Sequence, residues 1–478
     1  MPSIDRNSSE PFYLQVYDQI TAGIESGLYP AGNKLPSIRE CARELGVSNT
    51  TIELAYQKLT EEGYVQARRG SGYTICKIDS ALINPSKRFT PDYLEALGHL
   101  KESEVQRASK HMPTYDFAYD TIDPSLFPYT AWARISREVF FVKGADRACL
   151  YNDRQGLVDL RKQIANYICS EYGLTCIPEQ IMVMPTTRDL ISAIMSLFDP
   201  HDTRFAMENP GYDEVSRRLA SQGYNVSTIP VWPYPNWDDA LDNIEGARIV
   251  FSTPGCQFPT NHPMSLETRK NLVEWAWLND AYIIDDEYGW EFQSGISRIP
   301  PLAALDHSGH VITIGTFSNS FSPAISLSYA VMPPQLMNRW QETKRDAHPQ
   351  VPWQTQAAMA MFMSEGHWRT HIRRMRTAMR RKRNTLLQAL ERYMGYSIDV
   401  LSGPTSLFML VQLHDGRTED ELIEAAEQAS VRIYPTAQYW QSSPPAEWRY
   451  VLIGYASISE TAIEHGIKEL AHAWGLLE

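Results

Sequence analysis

Ala281-Tyr282-Ile283-Ile284-Asp285-Asp286-Glu287-Tyr288 is a short apolar run that ends in three carboxylates. Its length and composition read as a strand, with the acids at its C-terminal end. Runs of the same kind recur at Gln180-Ile181-Met182-Val183-Met184, Arg248-Ile249-Val250-Phe251-Ser252 and His310-Val311-Ile312-Thr313-Ile314, with longer helical patterns between them. Alternation of this kind is the signature of a parallel or mixed α/β sheet. It extends over residues 115–478, with a smaller C-terminal α+β subdomain expected from about 385.

Upstream the pattern changes. Tyr13, Tyr17, Ile20, Ile24 and Leu28 fall at helical spacing, and Pro30-Ala31-Gly32 stops that helix. Ser37-Ile38-Arg39-Glu40 is a capping box, followed by the stripe Ile38, Cys41, Ala42, Leu45. Gly46 makes a turn, and Ser48 caps a third helix that buries Ile52, Ala55 and Leu59. Tyr64-Val65-Gln66-Ala67 and Tyr73-Thr74-Ile75, joined by Arg68-Arg69-Gly70-Ser71-Gly72, form a hairpin with a basic tip. Helix, turn, helix and hairpin make a winged helix-turn-helix over residues 1–76. The third helix presents Asn49, Thr50, Thr51 and Glu53 to the major groove, behind the capping Ser48. Arg39, after the Ser37 cap, and Arg68, Arg69 and Gly70 on the wing meet phosphates or groove edges. Residues 77–114 read as a partly helical linker. The alternative is a small helical domain for protein contact.

The 478 residues are too many for one ordinary domain, and the 43% hydrophobic and 21% charged composition is that of a soluble globular protein. No apolar run reaches the ~20 residues of a membrane helix, and the N-terminus lacks the apolar core of a secretory signal, so a cytoplasmic protein with no membrane partner is expected. Six cysteines without a C-x-x-C pair suggest neither a disulfide framework nor a zinc site. The net charge of −13 does not exclude DNA, which meets only one face. Residues 1–76 hold seven basic and nine acidic side chains, so DNA contact has to come from a few placed residues.

Leu35-Pro36-Ser37-Ile38-Arg39-Glu40, Gly46-Val47-Ser48, Ala55-Tyr56-Gln57-Lys58-Leu59 and Glu62-Gly63-Tyr64 resemble the GntR-type DNA-binding domain. Where that family often has Arg-Asn-Thr, this chain has Asn49-Thr50-Thr51, which removes one possible guanine or phosphate contact. Glu208-Asn209-Pro210-Gly211-Tyr212, Thr253-Pro254-Gly255-Cys256-Gln257-Phe258-Pro259-Thr260, Asp285-Asp286-Glu287-Tyr288 and Gly315-Thr316-Phe317-Ser318-Asn319-Ser320-Phe321-Ser322-Pro323 resemble fold-type I aminotransferases. The match is specifically to the MocR/GabR-type regulators, which fuse such a domain to a GntR-type winged helix.

The resemblance implies roles. Tyr212 stacks on the ring of pyridoxal 5'-phosphate, Asp286 pairs with its pyridine nitrogen and Tyr288 binds its ring hydroxyl. Thr186 and Thr187, at the start of a helix, seat the phosphate end, and Ser318 belongs to the same pocket. Taken from the residues alone, Asp285-Asp286-Glu287 reads equally as a solvated strand end or a divalent-metal site.

The pattern then breaks. The Schiff-base lysine is Asn319, whose amide nitrogen cannot condense with an aldehyde. The phosphate arginine falls at Ser326, the phosphate-turn glycine at Pro185, and the substrate-carboxylate arginine at Leu452, with Arg449 on the other side of its strand. Four losses in one pocket point to a natural change rather than one engineered substitution. The reading implied is a regulator that binds operator DNA with two half-sites as a head-to-tail homodimer and senses a small effector without catalysis. Pyridoxal 5'-phosphate is held non-covalently if at all. The alternatives are an active aminotransferase fused to a winged helix, which needs another lysine although the next along the chain, Lys344, reads as part of a helical stretch well beyond the loop, and a constitutive DNA-binding dimer with a dead pocket. The run from Arg373 to Arg383 reads as a solvated helix face or as a second DNA contact.

Overall fold

The computed structural model describes residues 4–6, 8, 10–68, 72–77, 113–147, 149–151, 153–233, 237, 240–241, 244, 246–292, 299–343, 351–403 and 406–477. The chain divides into two compact units, Met1–Met112 and Pro113–Glu478. Most of the expected linker, and Arg69, Gly70 and Lys344, lie outside the described residues.

In the first unit, helices α1 (Phe12–Glu25), α2 (Ile38–Leu45) and α3 (Asn49–Glu61) precede the antiparallel hairpin β1 (Val65–Arg68) and β2 (Gly72–Ile75). Val16, Ile20, Ile52, Ala55, Tyr56 and Leu59 build its core, closed by Val65 and Ile75 from the hairpin. The first helix ends at Glu25, one turn earlier than its spacing predicts. Leu28 is 69% exposed, because Gly27 at φ +79° has already turned the chain away from the core. Gly46, at φ +63°, ends α2 in the left-handed conformation that favours glycine, and so permits the tight turn into α3.

In the second unit, a seven-stranded sheet runs in the order β4-β10-β9-β8-β7-β5-β6. Its strands are β4 (Ile181–Met184), β5 (Arg204–Asn209), β6 (Asn225–Pro230), β7 (Ala247–Ser252), β8 (Tyr282–Asp286), β9 (Val311–Thr316) and β10 (Ser328–Val331). Strand β10 is antiparallel to both neighbours, and the pairings among β5 to β9 are parallel. Alternate residues of one strand join different cores. Ile249 and Phe251 pack in one cluster, and Val250 packs in another. With both faces covered, the strands read as continuous apolar runs rather than alternating ones.

A smaller four-stranded sheet, β11-β12-β15-β14, is made by β11 (Ile398–Leu401), β12 (Phe408–Leu413), β14 (Tyr434–Pro435) and β15 (Val451–Gly454). The long helix His367–Tyr393 and the helix Glu460–Ala473 pack against each other. This subdomain is not purely C-terminal. The pair Tyr115–Asp116 runs parallel to Val431–Arg432, and Phe117 is fully buried in the subdomain's core. The start of the unit is therefore strapped onto its end. Lys382 ties this strap down, donating from Nζ to Asp123 (2.9 Å) and to the Ala456 carbonyl (3.0 Å).

Among the described residues no helix is long and apolar enough to cross a membrane, and the six cysteines are free thiols.

Candidate ligand cavity and DNA-reading face

Five strands of the large sheet deliver their C-terminal ends to one place. There the chain encloses a cavity of about 510 Å³. Thr186 and Thr187 follow β4, Tyr212 follows β5, Thr253 follows β7, Asp286 ends β8, and Thr316, Ser318 and Asn319 close β9. Crevices outside the carboxyl ends of strands are where open α/β sheets bind ligands. The small subdomain closes the other side with Tyr119, Phe408 and Gln438. The volume is in the range of small-molecule sites.

The three consecutive carboxylates at the C-terminal end of β8 part company. Asp285 is wholly buried beneath the cavity, and neither of its oxygens has a side-chain partner. Burial, reinforced by Glu287, pushes its carboxyl well above the usual carboxylate range. Glu287 meets Arg269 at 3.1 Å, with both side chains buried. Arg269 also donates to the carbonyls of Met264, Pro254 and Pro300, which satisfies its guanidinium. Only Asp286 lines the cavity. It is 8% exposed, with no hydrogen bond to a described residue. No group of three His, Cys, Asp or Glu among the described residues could hold a metal.

Glu208 sits under the floor and accepts from Ser252 Oγ (2.7 Å), Thr253 Oγ1 (2.7 Å) and Gln257 Nε2 (3.2 Å). It thereby pins the loop after β7 to β5. That loop brings in Phe258, whose ring meets Tyr212, Tyr119, Tyr288 and Phe408 at centroid distances of 6.0, 6.3, 6.2 and 5.5 Å. The Tyr288 hydroxyl is buried, with the Cys256 thiol beside it and no conventional oxygen or nitrogen partner.

The sequence-predicted pocket residues Thr186, Thr187, Tyr212, Asp286, Tyr288, Ser318 and Asn319 all line this one cavity, and Ser326 does not. Ser326 adopts φ +47° and turns its Oγ toward the Pro323 carbonyl (3.4 Å), because a serine is too short to reach back from that turn. Arg449 is away from the cavity, donating to the Gly416 carbonyl, and Leu452 is buried in an apolar cluster. Arg188, Asp213, Glu214 and Arg217 also line the cavity. They lie beside the motifs already singled out, but charged residues on a helix flank read as solvated surface. Tyr119, Phe408 and Gln438 are remote in sequence and carried no signal.

Pyridoxal 5'-phosphate fits this cavity only at its ring end. Asp286 and the Tyr288 hydroxyl are free to meet a pyridine nitrogen and a ring hydroxyl. At the aldehyde end stands Asn319, and no lysine among the described residues lines the cavity. At the phosphate end, Thr186 caps the helix Thr187–Met195 by accepting from Asp189 N (3.2 Å) while its hydroxyl donates to Asp189 Oδ2 (2.7 Å). The Thr186 hydroxyl is therefore already engaged by a carboxylate of its own helix.

In the first unit, Ser48 Oγ accepts from Thr51 N (3.1 Å) and meets Thr51 Oγ1 (2.8 Å), so these two hydroxyls build the cap of α3. Asn49, Thr50 and Glu53 are exposed on that helix. Ser37 Oγ accepts from Glu40 N (3.2 Å), which leaves Arg39 exposed at the start of α2. Arg68 is exposed on the wing, 3.5 Å from Gln66 Oε1. Leu54, 46% exposed on α3, is an apolar group that helical spacing did not single out.

The basic run on the long helix is mostly engaged inside the second unit. Arg376 reaches Glu171 and the Glu291 carbonyl, Arg381 pairs with Glu460, and Arg383 donates to Ser402 and the Gly403 carbonyl. These partners come from other elements of the second unit.

Two family models match the chain: bacterial regulatory proteins of the gntR family over residues 12–75, and aminotransferase class I and II over residues 116–468. The chain is 32% identical over 482 residues to an uncharacterized HTH-type transcriptional regulator of Bacillus subtilis, YhdI, covering 100% of this chain and 98% of that one. It is 27% identical over 474 residues to the HTH-type pyridoxine biosynthesis transcriptional regulator PdxR of Corynebacterium glutamicum, covering 98% of each. Among solved structures, the α-aminoadipate aminotransferase LysN of Thermus thermophilus, complexed with N-(5'-phosphopyridoxyl)-L-leucine, superposes with a TM-score of 0.69 at 22% identity, over 82% of this chain and 98% of that one.

Proposed function

Since this chain belongs to the family of HTH-type transcriptional regulators in which a GntR-type DNA-binding domain precedes an aminotransferase class I and II domain, and is a regulator of that kind, we propose that its large unit senses a small ligand without performing chemistry on it. The observation that carries this reading is Asn319 at the end of β9, in a cavity that no described lysine lines. An amide cannot form the imine on which aminotransferase chemistry depends. The cavity keeps an aromatic wall and a buried carboxylate, the furniture of a binding site, while its nucleophile is gone.

The ligand acts from between two parts of the second unit. Its floor is the strand ends of the large sheet, and its far wall is the small subdomain's Tyr119 and Phe408. A ligand that touches both shifts their arrangement by its differential affinity for the closed form. The regulator acts as a head-to-tail homodimer, and its two winged helices read two operator half-sites, since dimer symmetry mirrors operator symmetry. In each, Asn49 and Thr50 face base edges, while Arg39 and the wing arginines Arg68 and Arg69 hold phosphates. Ser37, Ser48 and Thr51 serve by building the helix ends, and Gly70 belongs to the wing tip that meets the DNA.

The decisive experiment mixes the purified protein with pyridoxal 5'-phosphate, reduces with borohydride and measures the intact mass. The expected result, at one equivalent of cofactor and with peptide mapping of any adduct, is no stoichiometric modification at one lysine. A single stoichiometric adduct on one lysine of residues 113–478 overturns the reading in favour of an active aminotransferase.

A further inference from the structure

The charges lining the cavity are arranged against an anion. Both guanidinium groups on its wall are already paired. Arg188 lies 3.3 Å from Glu214, and Arg217 lies 2.5 Å from Asp213. The Thr186 hydroxyl at the helix N-terminus that would seat a phosphate already donates to Asp189, and the acid places a negative charge in the first turn of that helix. Of the four lining carboxylates, Asp120 and Asp286 have no cationic partner among the described residues. Asp286 is more than nine-tenths buried and borders the cavity without a hydrogen bond. A phosphate dianion entering here would meet uncompensated negative charge in a partly desolvated space.

The same features suit a cation. A buried carboxylate lacking a partner gains most from a charge-assisted hydrogen bond. The wall opposite is aromatic, with Tyr212, Tyr288, Phe258 and Phe408 around the space, and aromatic faces attract organic ammonium groups.

Resting on the reading of the large unit as a non-catalytic sensor, we propose that its ligand is an organic cation without a phosphate group, whose protonated nitrogen pairs with Asp286 and whose body lies among the aromatic rings. The losses at Ser326 and Pro185 then follow from the change of ligand: a site that no longer holds a phosphate has no use for the arginine and the turn N–H that received it. Protonation of Asp286 would remove the ligand's counter-charge, and Glu287 and Glu208, the carboxylates that face it, favour that protonation.

The test is calorimetric titration of the full-length protein with pyridoxamine, with 1,5-diaminopentane and with pyridoxamine 5'-phosphate. At least one phosphate-free amine is expected to bind about tenfold tighter than the phosphate ester. Asp286→Asn, which removes the charge and keeps the shape, is expected to weaken that amine by about tenfold or more. Equal or tighter binding of the ester, absence of binding by both amines, or an Asp286→Asn variant that binds like the parent protein each overturns the proposal. The comparison between amine and ester needs no variant, so it stands if Asp286→Asn fails to fold. Preference for the ester with no covalent adduct would overturn this inference and leave the non-catalytic reading intact. A borohydride-fixed adduct would overturn the reading itself.

Discussion

At Asp286, burial and the carboxylates of Glu287 and Glu208 raise the carboxyl from its ordinary value near 3.8 to about 7. A carboxyl with a raised folded-state pKa holds its proton more tightly in the native protein than in the unfolded chain. Stability therefore falls as pH rises from about 4 to about 7, and the full cost is present above that window. Asp286→Asn removes the cost. It is expected to raise the Tm at pH 8 by roughly 3 °C or more, with the gain disappearing near pH 4, as differential scanning calorimetry would show. An unchanged Tm at pH 8 would mean that the carboxylate is solvated or paired in the native protein. Arg269 illustrates the opposite case. Its charge is compensated by Glu287 and by three carbonyls. Arg269→Met leaves Glu287 buried and alone, and is expected to destabilise the unit by about 3–5 kcal/mol in urea unfolding. Residue-level chemistry of this kind was partly legible in the sequence. Asp286 stood out because a strand ended on it, and Asn319 because a lysine was due there. The pairing of Arg188 with Glu214 was not legible, because adjacent helix flanks carry charge for solubility as readily as for a site.

Among the elements, the strands were the most legible and the helix ends the least. Runs such as Ile283-Ile284 are apolar on both faces because helices cover both sides of the sheet, and that makes them conspicuous. Helix α1 runs out at Glu25 although its apolar spacing continues to Leu28, since spacing does not sense the turn at Gly27. In α2, Arg39 is exposed, and no hydrogen bond ties it to another described residue. Arg39→Ala is expected to leave thermal unfolding unchanged while weakening DNA binding and making the salt slope shallower by about 1 for each phosphate no longer neutralised. Full affinity and an unchanged slope in fluorescence anisotropy would remove Arg39 from the DNA-reading face. Ser48→Ala, by contrast, removes the hydroxyl that caps α3 and is expected to cost about 1 kcal/mol of stability in the first unit.

At the scale of the whole chain, the net charge of −13 leaves DNA affinity to a few cations. If the protein binds as the proposed homodimer, with two or three arginines on each of two winged helices, log K is expected to fall against log salt with a slope of about −4 to −5. A slope near zero would argue against phosphate contacts by both copies. The two-unit organisation was legible because helical patterning gives way to strand–helix alternation. The strap at Tyr115–Phe117 was not. A two-residue parallel pairing with Val431–Arg432 joins segments more than 300 residues apart, and no local pattern announces it. Lys382, set in a basic run that reads as solvated surface, is in fact the anchor of that strap.

The strap also constrains how such a chain can be taken apart or recombined. Cutting at residue 127 would discard Phe117, remove Asp123 from Lys382 and leave a buried ammonium without its counter-charge. A different DNA-reading module therefore has to be joined upstream of Pro113. Tyr115 to Leu126 must travel with the second unit as cargo it cannot shed.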